Sequence, residues 1–105
     1  MTEPYCVILT TTGSQEEADR LADLLVTRRL AACVQVFPVS SRYMWKGELH
    51  KDPEQILLIK TASSPYREIE AAILENHSYE VPEILRLPIE GGSDRYLDWL
   101  SEETA

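Results

Sequence analysis

Cys6, Cys33 and His77 are side chains of this 105-residue sequence whose chemistry suits soft-metal ligation or nucleophilic attack. Their spacing removes the familiar arrangements. The two cysteines stand far apart, with no C-x-x-C pair and no zinc-finger pattern, and they are too few for an iron–sulfur cluster. No nucleophile lies at a recognisable spacing from a base. There is no phosphate loop or dinucleotide glycine pattern. Thr10-Thr11-Thr12-Gly13 is followed by no arginine before Arg20, which is the wrong make-up for an acylphosphatase-type anion loop. These residues point to a binding or interaction protein rather than an enzyme.

A second group is aromatic and charged. Tyr43 and Trp45 flank Met44 in the largest apolar cluster of the chain; they read first as interface anchors and second as surfaces on which a ligand could stack. Tyr79, Glu80 and Glu83 surround His77, whose place at a helix end suits a charged ring. Lys60, in a chain with 18 acidic residues, either meets an anionic ligand between subunits or makes an ordinary surface ion pair.

Net charge is −8, from 18 acidic and 10 basic residues. Phosphate backbones and anionic membranes call for positive surface, so neither nucleic acid nor membrane is expected as a partner. The apolar share of 44% and charged share of 27% are those of an ordinary globular protein. The length fits one domain, residues 1–105. No apolar run approaches the ~20 residues of a membrane helix, and the start lacks the basic and apolar regions of a signal peptide. The cytoplasm is the expected compartment, in keeping with two unpaired cysteines.

The elements follow from pattern. Pro4–Thr12 is apolar on both alternations and predicts a central strand. Ser14 and Glu17 form a capping box ahead of a helix reaching Arg29, with Ala18, Leu21, Ala22 and Leu25 as its apolar stripe. Cys33–Trp45 and Glu48–Thr61 make a hairpin about Lys46-Gly47, with irregularities expected at Pro38 and Pro53. Ser64-Pro65 caps a second helix ending near Asn76. Glu83–Ile89 is a fourth strand, and Ser93 opens a last helix. This order predicts an α+β, ferredoxin-like split βαβ sandwich, βαββαβ plus a C-terminal helix, with an extended hairpin of the second and third strands. One helix layer covers one sheet face, which leaves the other to be explained. The fold also sets a strand between Cys6 and Cys33, about 9.6 Å of strand spacing, too far for a disulfide.

Length creates a mismatch. Cys33–Trp45 reaches roughly 40 Å at ~3.3 Å per residue, whereas a helix from Ser14 to Arg29 reaches about 24 Å at ~1.5 Å per residue. The hairpin outruns its own helix layer, and its tip carries Tyr43, Met44 and Trp45. An aromatic cluster beside a free edge calls for a partner, so a homo-oligomer is expected.

Five segments in order resemble the CutA family, the divalent-cation tolerance proteins. They are Leu30-Ala31-Ala32-Cys33-Val34, Tyr43-Met44-Trp45-Lys46-Gly47, Ile59-Lys60-Thr61, His77-Ser78-Tyr79-Glu80-Val81-Pro82-Glu83-Ile84 and Tyr96-Leu97-Asp98-Trp99-Leu100. The resemblance spans nearly the whole chain. It implies a tight homotrimer with interlocked hairpins, a cytoplasmic location, a part in tolerance of copper and other divalent metals, and no defined enzyme activity. It also implies an architecture similar to the PII signalling trimers, so a small-molecule sensor or scaffold with pockets between subunits is the second reading. Tyr43, Trp45, Lys60, Tyr79 and Glu83 are the candidates for such a pocket or interface.

The resemblance further implies Cys33 as a copper ligand, its soft sulfur favouring the cuprous state, against its alternative as a small buried strand residue. One cysteine per chain is too few, so a site shared between subunits, or completed by His77, is expected. Two departures stand out. The family's His-Pro-Tyr is His77-Ser78-Tyr79 here, and positions where some members carry extra cysteines hold Thr10 and Ala72 or Ile73.

Overall fold

The computed structural model describes residues 3–104. Their order is β1 (Tyr5–Thr12), α1 (Gln15–Thr27), β2 (Cys33–Trp45), β3 (Glu48–Ala62), α2 (Tyr66–Asn76), β4 (Leu85–Pro88) and α3 (Asp94–Glu103). The strands form one antiparallel sheet in the order β2-β3-β1-β4. This is the α+β, split βαβ plan that the sequence predicts, with the extra helix at the end.

Strand alternation divides the sheet into two unlike faces. Cys6, Ile8, Thr10 and Thr12 of β1 share one face with Leu57 and Ile59 of β3, under α1 and α2. Ile8, Leu57 and Ile59 are fully buried there with Leu21, Leu25, Ile69 and Ile73 from the helices. Each such side chain removed from water stabilises the fold by roughly 1.5–3 kcal/mol. The alternate residues Val7, Leu9, Ile56 and Leu58 face the other way and are only half-buried. Beside them Phe37, Leu85 and Leu87 are 38%, 53% and 44% exposed.

The α1 start keeps half of its expected capping box. The Glu17 backbone N–H donates to Ser14 Oγ at 3.1 Å, but the Glu17 carboxylate is drawn elsewhere. The helix ends at Thr27, two residues before the expected Arg29, because Arg29 adopts a left-handed φ of 58°. Its guanidinium then donates to the carbonyls of Glu102 and Glu103 at 2.5 and 3.4 Å. A cation thereby meets the orphan carbonyls and negative dipole end of α3.

The β2–β3 ladder runs unbroken from Cys33↔Lys60 to Trp45↔Glu48. Neither Pro38 nor Pro53 interrupts it, contrary to expectation. Pro38 pairs with Gln55 and Pro53 with Ser40, two rungs apart, and β1 reaches only as far as Gln55. A strand accepts proline where its nitrogen faces away from the ladder partner, and at both places no further strand needs an N–H. The turn is the expected two-residue one: Lys46 and Gly47 have φ of 51° and 82°, the paired positive values of a type I′ hairpin. The molecule is drawn out to 44 Å along one axis against 25 and 22 Å.

Three further boundaries differ from the sequence reading. Pro65, not Ser64, caps α2, and it offers no side-chain bond; Ser63 Oγ instead donates to the Glu3 carbonyl at 2.6 Å. The fourth strand is four residues rather than Glu83–Ile89, although the Ile89 N–H still donates to the Tyr5 carbonyl at 3.0 Å and Ile84 packs on the core. Ser93 caps α3 by position without a side-chain bond.

Candidate functional site

The connection after α2 is fixed by three residues that turn inward. The His77 side chain is fully buried. Its Nδ1 accepts from the Tyr79 backbone N–H at 3.1 Å, and its Nε2 lies 2.6 Å from the Thr11 carbonyl. That pattern calls for the neutral ring with the proton on Nε2. The imidazole expected as a metal ligand is thus committed at both nitrogens and serves to tie the connection to β1. Glu17, 6% exposed, accepts from the Ser78 backbone N–H at 2.8 Å and from Ser78 Oγ at 2.9 Å, and stands 3.7 Å from His77 Nδ1. A proline in place of Ser78 could make neither bond.

These ties aim Tyr79 across Gly13 at β3. A Cβ on Gly13 would stand 3.1 Å from the Tyr79 hydroxyl, so a side chain there would make the phenol give by a few tenths of an ångström. The hydroxyl donates to Glu54 at 2.6 Å. Burial raises the Tyr79 pKa well above its ordinary value, and the hydrogen bond to the Glu54 carboxylate adds to the rise. Further along the hairpin, Tyr43 donates to Asp52 at 2.6 Å, which holds its phenol protonated to higher pH.

Between hairpin and connection lies a cleft of about 520 Å³. Tyr43 and Trp45 form one wall, Tyr79 and Val81 the other, with Glu54, Glu80 and Glu83 as its acids and Arg42 as the basic residue among them. The structure therefore gathers Tyr43, Trp45, Tyr79 and Glu83 in one place. Lys60 is elsewhere, its Nζ 5.9 Å from the Tyr96 ring of α3. Cys33 is there too, as Lys60's partner across the ladder.

Cys33 and His77 are not brought together within one chain. Cys33 is level with Val7, and His77 binds Thr11, a separation of roughly 13 Å along β1 at ~3.3 Å per residue. Among the described residues, no three His, Cys, Asp or Glu side chains are grouped to hold a metal ion. Both cysteines are free, with β3 between their strands. Burial is the main cause of a raised Cys6 pKa, which keeps that thiol inert.

Sequence reasoning missed Glu17 and Glu54 as members of this region. A helix-start role already accounted for Glu17. Glu54 sits in a polar run, and only the β2–β3 register places it inside the cleft.

The fold and cleft define a class: a small α+β protein with one open sheet face, a projecting hairpin and an acidic, aromatic pocket between that hairpin and the connection after α2. The family model described as CutA1 divalent ion tolerance protein matches residues 6–103. The divalent-cation tolerance protein CutA of Thermus thermophilus is 44% identical over 99 residues, 93% of this chain and 96% of that one. The chloroplastic CutA of Arabidopsis thaliana is 41% identical over 98% of this chain, which spans only 57% of the plant protein's length. Among solved structures, the Thermus thermophilus protein superposes with a TM-score of 0.92 at 43% identity, covering 96% of this chain and 99% of that one. CutA1 from Shewanella sp. SIB1 gives 0.95 at 35% identity, covering 99% and 98%.

This chain belongs to the CutA1 divalent ion tolerance family. The names favour the tolerance reading of the sequence over the small-molecule sensor. Compartments vary among the relatives, from chloroplastic to periplasmic, and none of the described helices is long and apolar enough to cross a membrane.

Proposed function

We propose that this chain works as a cytoplasmic homotrimer in tolerance of divalent metals, binding copper rather than catalysing a reaction. The observation that carries the reading is the open sheet face. Phe37, Leu85 and Leu87 lie exposed on it, and the outer edges of β2 and β4 have no partner strand among the described residues. Exposed apolar surface beside free edges favours association with identical copies. At the tip, Tyr43 and Trp45, 39% and 38% exposed, extend the same face, and Met44, 65% exposed, projects from the other.

The donor set does not fit a tight metal site within one chain. Cys33 is the soft ligand that remains, partly exposed on the open face, where a neighbouring copy can approach it. His77 would join only by giving up its bonds to Thr11 and Tyr79. Copper is then held by cysteines of more than one subunit, and two free cysteines are in keeping with a reducing compartment.

Sedimentation velocity across a dilution series tests the assembly: a stable 12.0 kDa particle at every concentration would end this reading. Competition titration with copper(I) tests the ligand. Cys33→Ser is expected to weaken binding; equal affinities would remove Cys33.

A further inference from the structure

We propose that the exposed end of the arm's helix-side face docks an acidic segment of another protein. Arg42 and Lys51 are its charged contacts, Met44 and Leu49 its apolar ones.

Strand register sorts the side chains of the arm by face. Val34 and Val36 of β2 stand opposite Ile59 and Leu57, on the side of the core. Along the unbroken ladder the same alternation puts Ser40, Arg42 and Met44 on that side, with Pro53, Lys51 and Leu49 across from them. All of these are exposed. The acids of the arm, Glu48, Asp52 and Glu54, fall on the reverse side with Tyr43 and Trp45. Between positions 42 and 51 the arm carries Arg42, Lys46 and Lys51 against Glu48 alone, in a chain of net charge −8.

Arg42 pairs directly with Lys51. Like charges directly opposite each other destabilise a strand pair, and no carboxylate comes within ion-pair distance of either among the described residues. Arg42 also borders the cleft, yet the acids there leave it unpaired. Lys46 is drawn to the Trp45 ring instead, its Nζ 5.7 Å from the centroid. The Arg42–Lys51 rung is thus unfavourable within the arm and becomes favourable when a partner lays carboxylates over it.

The shape of the face selects the kind of partner. From Ser40 to Met44 it runs roughly 16 Å at ~3.3 Å per residue, the length of a short extended segment or of about three helical turns. Met44 is unbranched and adapts to the apolar side chain beside it. A membrane or a nucleic acid presents its charge too broadly, since it would also meet Glu48 and Asp52 on the reverse of a single sheet. A polypeptide segment can lie along one face alone. Copies gathered on the open face, as proposed above, leave this face outward for a different molecule.

Neither Cys33 nor the open face takes part, so this proposal and the copper-binding homotrimer fail separately. The experiment is a fluorescence-anisotropy titration of the assembled protein into a labelled peptide of Glu-Glu-Leu repeats. Saturable binding that weakens with added salt is expected, with none to a peptide of Ser-Ser-Leu repeats. Arg42→Glu combined with Lys51→Glu should weaken binding about tenfold or more, and Met44→Ser about threefold. The exposed α2 substitution Glu68→Gln should leave it unchanged. Arg42→Glu alone places opposite charges on one rung, so it should lose affinity while melting no lower than the parent. No saturable binding, or equal affinity of the double variant, would overturn the proposal. So would binding to phosphatidylserine vesicles as tight as to the peptide, or a lower sedimentation coefficient for the double variant, which would give the face to a second copy.

Discussion

The two faces of the sheet are made from alternate residues of the same strands, and they have opposite fates. Ile8, Leu57 and Ile59 are sealed under two helices, while Phe37, Leu85 and Leu87 remain in contact with solvent. Composition does not separate them, since both sets are aliphatic or aromatic. The layer of α1 and α2 separates them; on the other side α3 meets β3 only near Lys60, whose Nζ stands 5.9 Å from the Tyr96 ring. Burial on the first face holds the single chain together; on the second, further burial would come from the neighbouring copies proposed above. On that proposal stability and association fall to opposite sides of one set of strands.

Substitution on each face sharpens this contrast. Leu57→Ala removes a fully buried side chain and should cost about 2–5 kcal/mol of folding stability, read by chemical denaturation. Leu87→Asp on the open face should leave helix content unchanged by circular dichroism and shift the sedimentation coefficient toward the single chain. If Leu87→Asp unfolds the protein as severely as Leu57→Ala, the division between faces is wrong.

A smaller effect is expected at the junction of hairpin and connection. Ser78→Pro removes both donors from the buried Glu17 carboxylate and should destabilise by about 1–3 kcal/mol. Ser78→Ala removes one donor and should cost less. Equal cost for the two would mean that the backbone bond contributes nothing.

The smallest effect is in alkali. The folded state holds the Tyr79 proton more tightly than the unfolded chain, whose phenol titrates near the ordinary value of 10.0. This contribution is present in full below pH 10 and is lost as pH rises toward the higher folded value. Thermal melts of Tyr79→Phe between about pH 9 and 11 should fall less steeply than those of the parent. Parallel slopes would show that the Tyr79–Glu54 bond does not couple folding to pH.

The fold was largely legible in the sequence because its signals are local. A run apolar on both alternations marks β1, a cap and a 3.6-residue stripe mark α1, and Lys46-Gly47 marks the turn. Pro38 and Pro53 misled because a proline's effect depends on which rung it occupies, and register is not local. The arithmetic of the overlong hairpin needed only rise per residue, and the drawn-out shape follows from it. The cleft was half legible. Tyr43, Trp45, Tyr79 and Glu83 stand out by type and by the resemblance, but Glu17 and Glu54 become members only once strands and helices are placed. His77 was visible, its orientation was not: an imidazole beside a helix end reads the same whether it faces metal, solvent or a carbonyl.

The shortness of β4 bears on the order in which the molecule is made. Its four residues rest on β1 alone, and α3 is gripped beyond them by Arg29. Every other strand contact, β1 with β3 and β3 with β2, is complete by Ala62. As the chain leaves the ribosome, three of the four strands can close before the last has emerged. That final segment then docks on a finished surface, where β1, Arg29 and the burial of Leu100 hold it.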